Sequence, residues 1–189
     1  MHIPIITDYE NNERNLDLFS KLLKERIILL TGEVDDTLSA IIISQLLYLE
    51  SVDKEKDISI YINSPGGSVT AGLAICDTMN LISCDIRTIA IGLSASIAAL
   101  ILSNGTKGKR YALENADILI HQPLGGIQGQ ATEIKIHTDY ILKTRDKINK
   151  ILSFNTGQSL EKIKEDTERD FFLDPIEALN YGLIDEILK

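Results

Sequence analysis

Between residues 88 and 106 the chain carries no charged side chain, and this stretch limits the fold more than any other feature. A span of that length could cross a membrane. However, Gly92, Ser94 and Ser96 interrupt its middle, and Ser103, Asn104 and Gly105 break its end. A buried strand (Ile89-Ala90-Ile91), a Gly/Ser turn and a buried helix (Ile97-Ala98-Ala99-Leu100) account for it better. The same strand–turn–helix order recurs upstream. An apolar run at 27–30 stops at Thr31-Gly32, and a helix follows that carries Ile41, Ile42, Leu46, Leu47 and Leu49, with Asp36 as its expected cap. A strand at 57–63 turns through Ser64-Pro65-Gly66-Gly67 into a helix around 71–81. Repetition of this unit implies an α/β fold with mostly parallel pairing. Active sites in such folds collect at the carboxyl ends of the strands.

The remaining segments fit the same single domain, since 189 residues suffice for one well-packed core and are few for two. Leu16, Phe19, Leu22 and Leu23 fall at helical spacing and predict a short amphipathic helix ending near Arg26, while polar residues 8–15 are expected to be mobile. A long helix is expected over 131–154, with charges at Glu133, Lys135, Asp139 and Lys143. Its apolar residues (Ile134, Ile141, Leu142, Ile148, Ile151, Leu152) form only a partial stripe, so it should project and pack on a partner. Asp174, Pro175 and Glu177 spell a capped helix start, and 183–188 reads as a closing strand.

The charge balance narrows the function. A net charge of −9 without a basic stripe argues against nucleic acid and anionic membranes as partners. Cys76 and Cys84 show no metal-ligand or disulfide framework and read as free thiols of a reducing compartment. The first residues lack the features of a signal peptide, so a cytoplasmic location is expected.

Two corners could carry chemistry. A serine at the strand–helix corner, either Ser94 in the turn or Ser96 at the helix start, would stand beside free backbone N–H groups. On this reading the N–H of Ser96 itself and the next one both point free. His121 closes a buried-looking strand, Asp117-Ile118-Leu119-Ile120, whereas His2 lies near the terminus and His137 among charges on the long helix. A serine hydroxyl needs a neighbouring base to attack a carbonyl, so the two corners together suggest a serine hydrolase. Each also has a plain structural role, as a helix cap and as a strand end. Ser64-Pro65-Gly66-Gly67 is an ordinary turn or a place where glycine amides approach a substrate carbonyl. Spacing leaves Asp166, Asp170 and Asp174 open as the acid that would orient His121.

Over nearly its whole length the chain resembles the ClpP family, the proteolytic subunits of Clp proteases. The resemblance rests on Tyr61-Ile62-Asn63-Ser64-Pro65-Gly66-Gly67, Gly92-Leu93-Ser94-Ala95-Ser96, Lys107-Gly108-Lys109-Arg110-Tyr111 and His121-Gln122-Pro123-Leu124-Gly125-Gly126. Gln128-Gly129-Gln130-Ala131-Thr132-Glu133, Asp166-Thr167-Glu168-Arg169-Asp170 and Tyr181-Gly182-Leu183-Ile184-Asp185 follow in the family's order. It implies a crotonase-like ββα spiral spanning 1–189, with 1–15 as an axial segment and 131–154 as a protruding handle helix. The implied activity is serine endopeptidase, with Ser96 as nucleophile, His121 as base and Asp170 as orienting acid. The N–H groups of Gly67 and Ile97 would hold the oxyanion, and Gly66, Ser68, Val69, Leu124 and Gly125 would line the substrate. No metal or organic cofactor is implied. The implied partners are further copies of the chain in two stacked seven-membered rings, an AAA+ unfoldase of the ClpX, ClpA or ClpC kind, unfolded polypeptides, and a ClpP paralogue. The unfoldase would dock on Tyr61, Leu81, Ile91, Tyr111 and Leu188. ATP would be used by that partner, because the chain has no Gly-x-x-x-x-Gly-Lys pattern.

The chain departs from the family pattern at Ser94, Ile97, Ala98, Glu114 and Ser59, where Ala, Met, Gly, Pro and often an aromatic residue are usual. Two rival readings follow. One is an acyl-CoA hydratase or isomerase of the same fold, which would not require a Ser/His/Asp set. The other is a regulatory ring subunit that assembles with an active paralogue.

Overall fold

The computed structural model describes residues 5–8 and 13–189, with side chains from Asp17 onward. The remainder of the expected axial segment, 1–4 and 9–12, lies outside the described residues. Where a mobile polar stretch was expected, β1 (Ile5–Asp8) pairs antiparallel with β2 (Glu13–Asp17), and Leu16 belongs to this ladder and not to the helix. The following helix α1 (Leu18–Lys24) starts where Asp17 accepts the N–H of Ser20. From there the alternation of strand and helix sets in, with β3 (Ile27–Thr31), α2 (Asp36–Val52), β4 (Ile58–Ser64), α3 (Val69–Leu81), β5 (Ile86–Ala95) and α4 (Ile97–Ser103). The cap of α2 is Asp35, whose carboxylate takes the Leu38 N–H at 2.7 Å; Asp36 is already the first helical residue.

The strands β3, β4 and β5 pair in parallel, and their residues Ile28, Leu30, Ile58, Ile60 and Ile62 are almost wholly buried. Fully burying each such side chain contributes about 1.5–3 kcal/mol. Sequence-distant pairing of this kind is rewarded only when helices cover the apolar face, which α2 and α4 do, with α3 packed on both helices. Helix α4 is apolar all round, and each of its seven residues is buried. The uncharged stretch thus forms the centre of the molecule. Among the described residues no helix is long and apolar enough to cross a membrane.

Strand β5 has ten residues, longer than its neighbours, and it splits the sheet. Its first half pairs with β6 (Arg110–Leu113) at Thr88–Ala90, and its second half with β7 (Asp117–Ile120) at Leu93–Ala95. The bend between them lies at Gly92, whose φ is +69°, and the Asn63 amide oxygen fills the gap by accepting the Leu93 N–H at 3.1 Å. The residues Gly92-Leu93-Ser94-Ala95 expected as a turn are therefore strand.

Beyond β7 the chain runs through an irregular, mostly exposed segment into α5 (Ala131–Thr156), then α6 (Leu160–Asp166), β8 (Phe171–Leu173), α7 (Pro175–Tyr181) and β9 (Glu186–Leu188). The closing strand is shorter than expected. β8 is the one antiparallel member of the seven-stranded sheet, against β7. Only Ile148, Asn149 and Leu152 of α5 are buried, so its first four turns stand away from the core as the thin apolar stripe implies. Asp174 accepts the Glu177 N–H and Glu177 returns the bond to the Asp174 N–H, the capping box read from sequence.

Polar anchors fix the far end of the sheet. Arg110 on β6 is buried and holds Asp185 through two bonds of 2.6 and 2.8 Å, and it also donates to the carbonyls of Ser103 and Asn155. Burial pushes the Asp185 carboxyl up, but the Arg110 guanidinium and the N–H groups of Arg110 and Gly108 outweigh it and hold the group below its ordinary value. Cys76 and Cys84 are free and buried, and burial pushes the Cys76 thiol up to about 12.

Candidate active site

Ser94 and Ser96 sit two residues apart and in opposite circumstances. Ser94 lies inside β5, wholly buried, with its hydroxyl toward the Ile62 carbonyl at 3.5 Å. Ser96 stands between β5 and α4 with φ +58° and ψ −124°, one of the described non-glycine residues at positive φ. Such a backbone costs on the order of 1–3 kcal/mol and persists only where the surroundings enforce it. Here they do: the Ser96 N–H donates to the Leu119 carbonyl at 2.8 Å, and its carbonyl accepts from Ala99 and Leu100. The Ser96 N–H is thus consumed by β7, contrary to the expectation that it points free. Its side chain makes no cap bond to α4 and faces a cavity. The N–H of Ile97, at the first position of α4, has no acceptor within the helix.

Gly66 closes on this corner, and Gly67 next to it packs on Val34. Gly66 has φ +94°, and a methyl there would lie 2.6 Å from Ser96 Cβ and 2.8 Å from the Ala95 carbonyl oxygen. Only glycine permits that approach. Gly67 is bridged to Val34: the Val34 N–H donates to the Gly66 carbonyl and the Ser68 N–H to the Val34 carbonyl, both at 2.7 Å. In a parallel bridge the residue between two such bonds turns its own N–H away from the partner, so the Gly67 N–H faces away from Val34. Val34, in the short link before α2, carries no sequence signal for this task. Ser68 caps α3 by accepting the Ala71 N–H, so its hydroxyl and its N–H both have internal partners.

His121 follows directly on β7. Its Nδ1 lies 3.5 Å from Asp170 Oδ1, beyond a firm hydrogen bond, and the Asp170 side chain is 64 % exposed. Geometry separates the three acids that spacing left open. Asp166 accepts the Tyr181 hydroxyl at 2.6 Å and pairs with Lys162, and Asp174 caps α7. Asp170 is the one beside His121. The segment after His121 is tied back at its start, the Gln122 N–H to the Thr167 carbonyl at 2.7 Å and the Gln122 amide to the Glu168 carbonyl at 2.9 Å. Leu124 is then 84 % exposed, and Gly125 lies against Ile141 of α5.

Ser96 and His121 line one cavity, with Val69, Ile97, Leu100, Ile120, Pro123, Ile148 and Leu152. Ile148 and Leu152, read from sequence as part of a stripe packing on a partner, reach this corner because α5 docks on it through the tertiary fold. A second, open cleft of about 450 Å³ runs along the other side of His121, between Gln122–Gly125 and Glu168–Asp170.

On the sheet face opposite the helices, register aligns Tyr61 with Ile89 and Ile89 with Tyr111, while Leu113 faces Leu188. Ile91 continues this row, and the Arg87 guanidinium stacks over the Tyr111 ring at 5.3 Å. Leu81 does not join it: it stands on the last turn of α3, on the helical side, 77 % exposed.

Residues 10–189 match the family model described as Clp protease. The mixed α/β architecture, with seven helices among the described residues, agrees with that family's crotonase-like fold. The match takes in the Gly66–Gly67 turn, the Ser96 corner, His121 and Asp170 together, and it makes the chain a member of the Clp protease family, peptidases that self-associate and work with Clp unfoldases.

Proposed function

We propose that the chain is a serine endopeptidase with Ser96 as nucleophile, His121 as base and Asp170 as orienting acid. The observation that supports this most is the Ser96 corner itself: a strained, uncapped serine at a helix start with Gly66 pressed against it. In the proposed reaction His121 takes the Ser96 proton as Oγ attacks a peptide carbonyl. The N–H groups of Gly67 and Ile97 hold the oxyanion. His121 then gives the proton to the leaving amine, and water hydrolyses the acyl-enzyme. Extended substrate would lie between the Gly66–Ser68 turn with Val69 and the exposed Leu124–Gly125 segment, held through its backbone. Ser68 would contribute position and not its side chain, since its polar groups are already engaged.

The exposed first turns of α5 support assembly through this helix, in stacked seven-membered rings that enclose the sites of a cytoplasmic protease. The row of Tyr61, Ile91, Tyr111 and Leu188 would receive an AAA+ unfoldase. A second reading, a ring subunit that needs an active paralogue, draws on the 3.5 Å separation of His121 from an exposed Asp170. The deciding experiment is labelling of Ser96 by a fluorophosphonate, with peptidase assays of the chain alone and mixed with a paralogue. Labelling and hydrolysis by the chain alone support the first reading. Hydrolysis only in the mixture supports the second, and an unlabelled Ser96 excludes the serine mechanism.

A further inference from the structure

The cavity shared by Ser96 and His121 is apolar on every other side, and its volume is about 20 Å³. That is room for roughly a single water. Most of its walls belong to packed elements. Leu100 and Ile120 belong to α4 and β7, Ile148 and Leu152 are buried residues of α5, and Pro123 lies two residues beyond His121. The floor is the Ile97 side chain, which occupies the space over Gly72 of α3, where a methyl on Gly72 would collide with Ile97 Cγ1. Ile97 is fixed twice over. Its β-branch restricts χ1 in a helix, and the residue is 3 % exposed.

The backbone and side chain of Ile97 bear on the same substrate residue. If the Ile97 N–H holds the oxyanion, the side chain of that residue lies beside whatever the acyl carbon carries. We infer that Ile97 makes this cavity a subsite for small residues, so that the chain cleaves after alanine, serine or glycine and excludes leucine, methionine and phenylalanine on the acyl side of the scissile bond. The inference rests on the serine peptidase reading above and adds its substrate class. A close-packed wall cannot take an extra branched or aromatic side chain without displacing α4 or α5. The open cleft between Gln122–Gly125 and Glu168–Asp170 is no part of this subsite.

Peptidyl diphenyl phosphonates test the subsite without requiring turnover. Ser96 Oγ attacks phosphorus, the Oγ–P bond forms, a phenoxide leaves, and the serine proton passes through His121 to it. Probes differing only in the acyl-side residue (Ala, Leu, Phe) are compared by their rates of labelling the full-length protein. The alanine probe should react at least about tenfold faster than the leucine and phenylalanine probes, a discrimination within the range of pocket contacts. Ile97→Ala should reverse or erase that ratio. Ile97→Val, which keeps the β-branch, should shift it in the same direction by less. Ile148→Ala opens the opposite wall and should also favour leucine, which keeps the test decisive if Ile97→Ala does not fold. Equal or faster labelling by the leucine probe in the unaltered protein would overturn the inference, as would variants that slow all probes alike. A fluorophosphonate without an acyl-side residue separates the two failures. If it labels Ser96 while the ratio is wrong, only the subsite falls; if it leaves Ser96 untouched, the peptidase reading falls as well.

Discussion

The two halves of the candidate site are built differently. The serine half is over-determined by its own chain: a bridge to Val34, glycines without room for a methyl, a bond from the Ser96 N–H to β7, and a helix that is wholly buried. The histidine half hangs on an exposed segment, with Asp170 largely in solvent and 3.5 Å from its partner, and with Gly125 resting on Ile141 of a helix that projects from the core. The first half is preorganised by packing. The second has few contacts of its own, and its geometry is open to whatever binds the projecting helix. Regions of low local packing are where conformational change is drawn from, so control of this enzyme should act on His121 and Asp170 and leave Ser96 in place.

The comparison breaks first at Ser96. Ser96→Ala should lower peptide hydrolysis by about 10⁴-fold or more, while Ser94→Ala, deep in the sheet, should leave most activity and cost stability instead. Steady-state assays beside thermal unfolding check both, and the reverse pattern would place the nucleophile at Ser94. Asp170→Asn comes next, with a loss of about 10²–10⁴-fold as His121 loses the group that fixes its tautomer. Asp166→Asn and Asp174→Asn should change kcat little and lower the unfolding temperature, because their partners are Tyr181, Lys162 and a helix start. Equal kinetic losses at all three would make the segment structural.

Gly66→Ala sharpens the contrast from the rigid side. A methyl 2.6 Å from Ser96 Cβ must displace Ser96, the proposed nucleophile, and a shift of about 1 Å can cost on the order of 10²-fold. The measurement is fluorophosphonate labelling rate, which should fall with little change in molecular mass. From the loose side, Ile134→Glu should reduce activity by about tenfold and yield smaller species in sedimentation, since Ile134 is exposed and far from the core. Ile141→Ala should lower activity with assembly kept, through Gly125. A fully active small species would uncouple assembly from the histidine half.

The smallest effect concerns pH. The Asp185 carboxyl is held below its ordinary value by Arg110, so it stabilises the fold above the ordinary carboxylate range, and that contribution is lost as pH falls through its lowered value. Unfolding temperatures of the unaltered protein and of Asp185→Asn, followed from pH 7 to about pH 3, should therefore converge toward acid. A constant gap would mean that the pair contributes through its shape and not its charge.

The sequence by itself determined the alternation of strands and helices, the buried α4, the capped start of α7 and the two corners. Each of these is written in local periodicity, an uncharged run or a capping pair, which neighbouring residues impose on one another. It left Ser94 against Ser96 and Asp166 against Asp170 and Asp174 unresolved, apart from the resemblance, because a spacing does not say which side of a strand or turn faces the cavity. Tertiary structure gives these residues different surroundings. It put Ser94 inside β5, engaged Asp166 and Asp174 elsewhere, claimed the Ser96 N–H for β7 and set Val34 beneath Gly67. It also brought Ile148 and Leu152 of α5 to the wall beside Ser96. Contacts between residues so far apart in sequence depend on how the sheet splits at Gly92 and where α5 docks, and no local pattern encodes that.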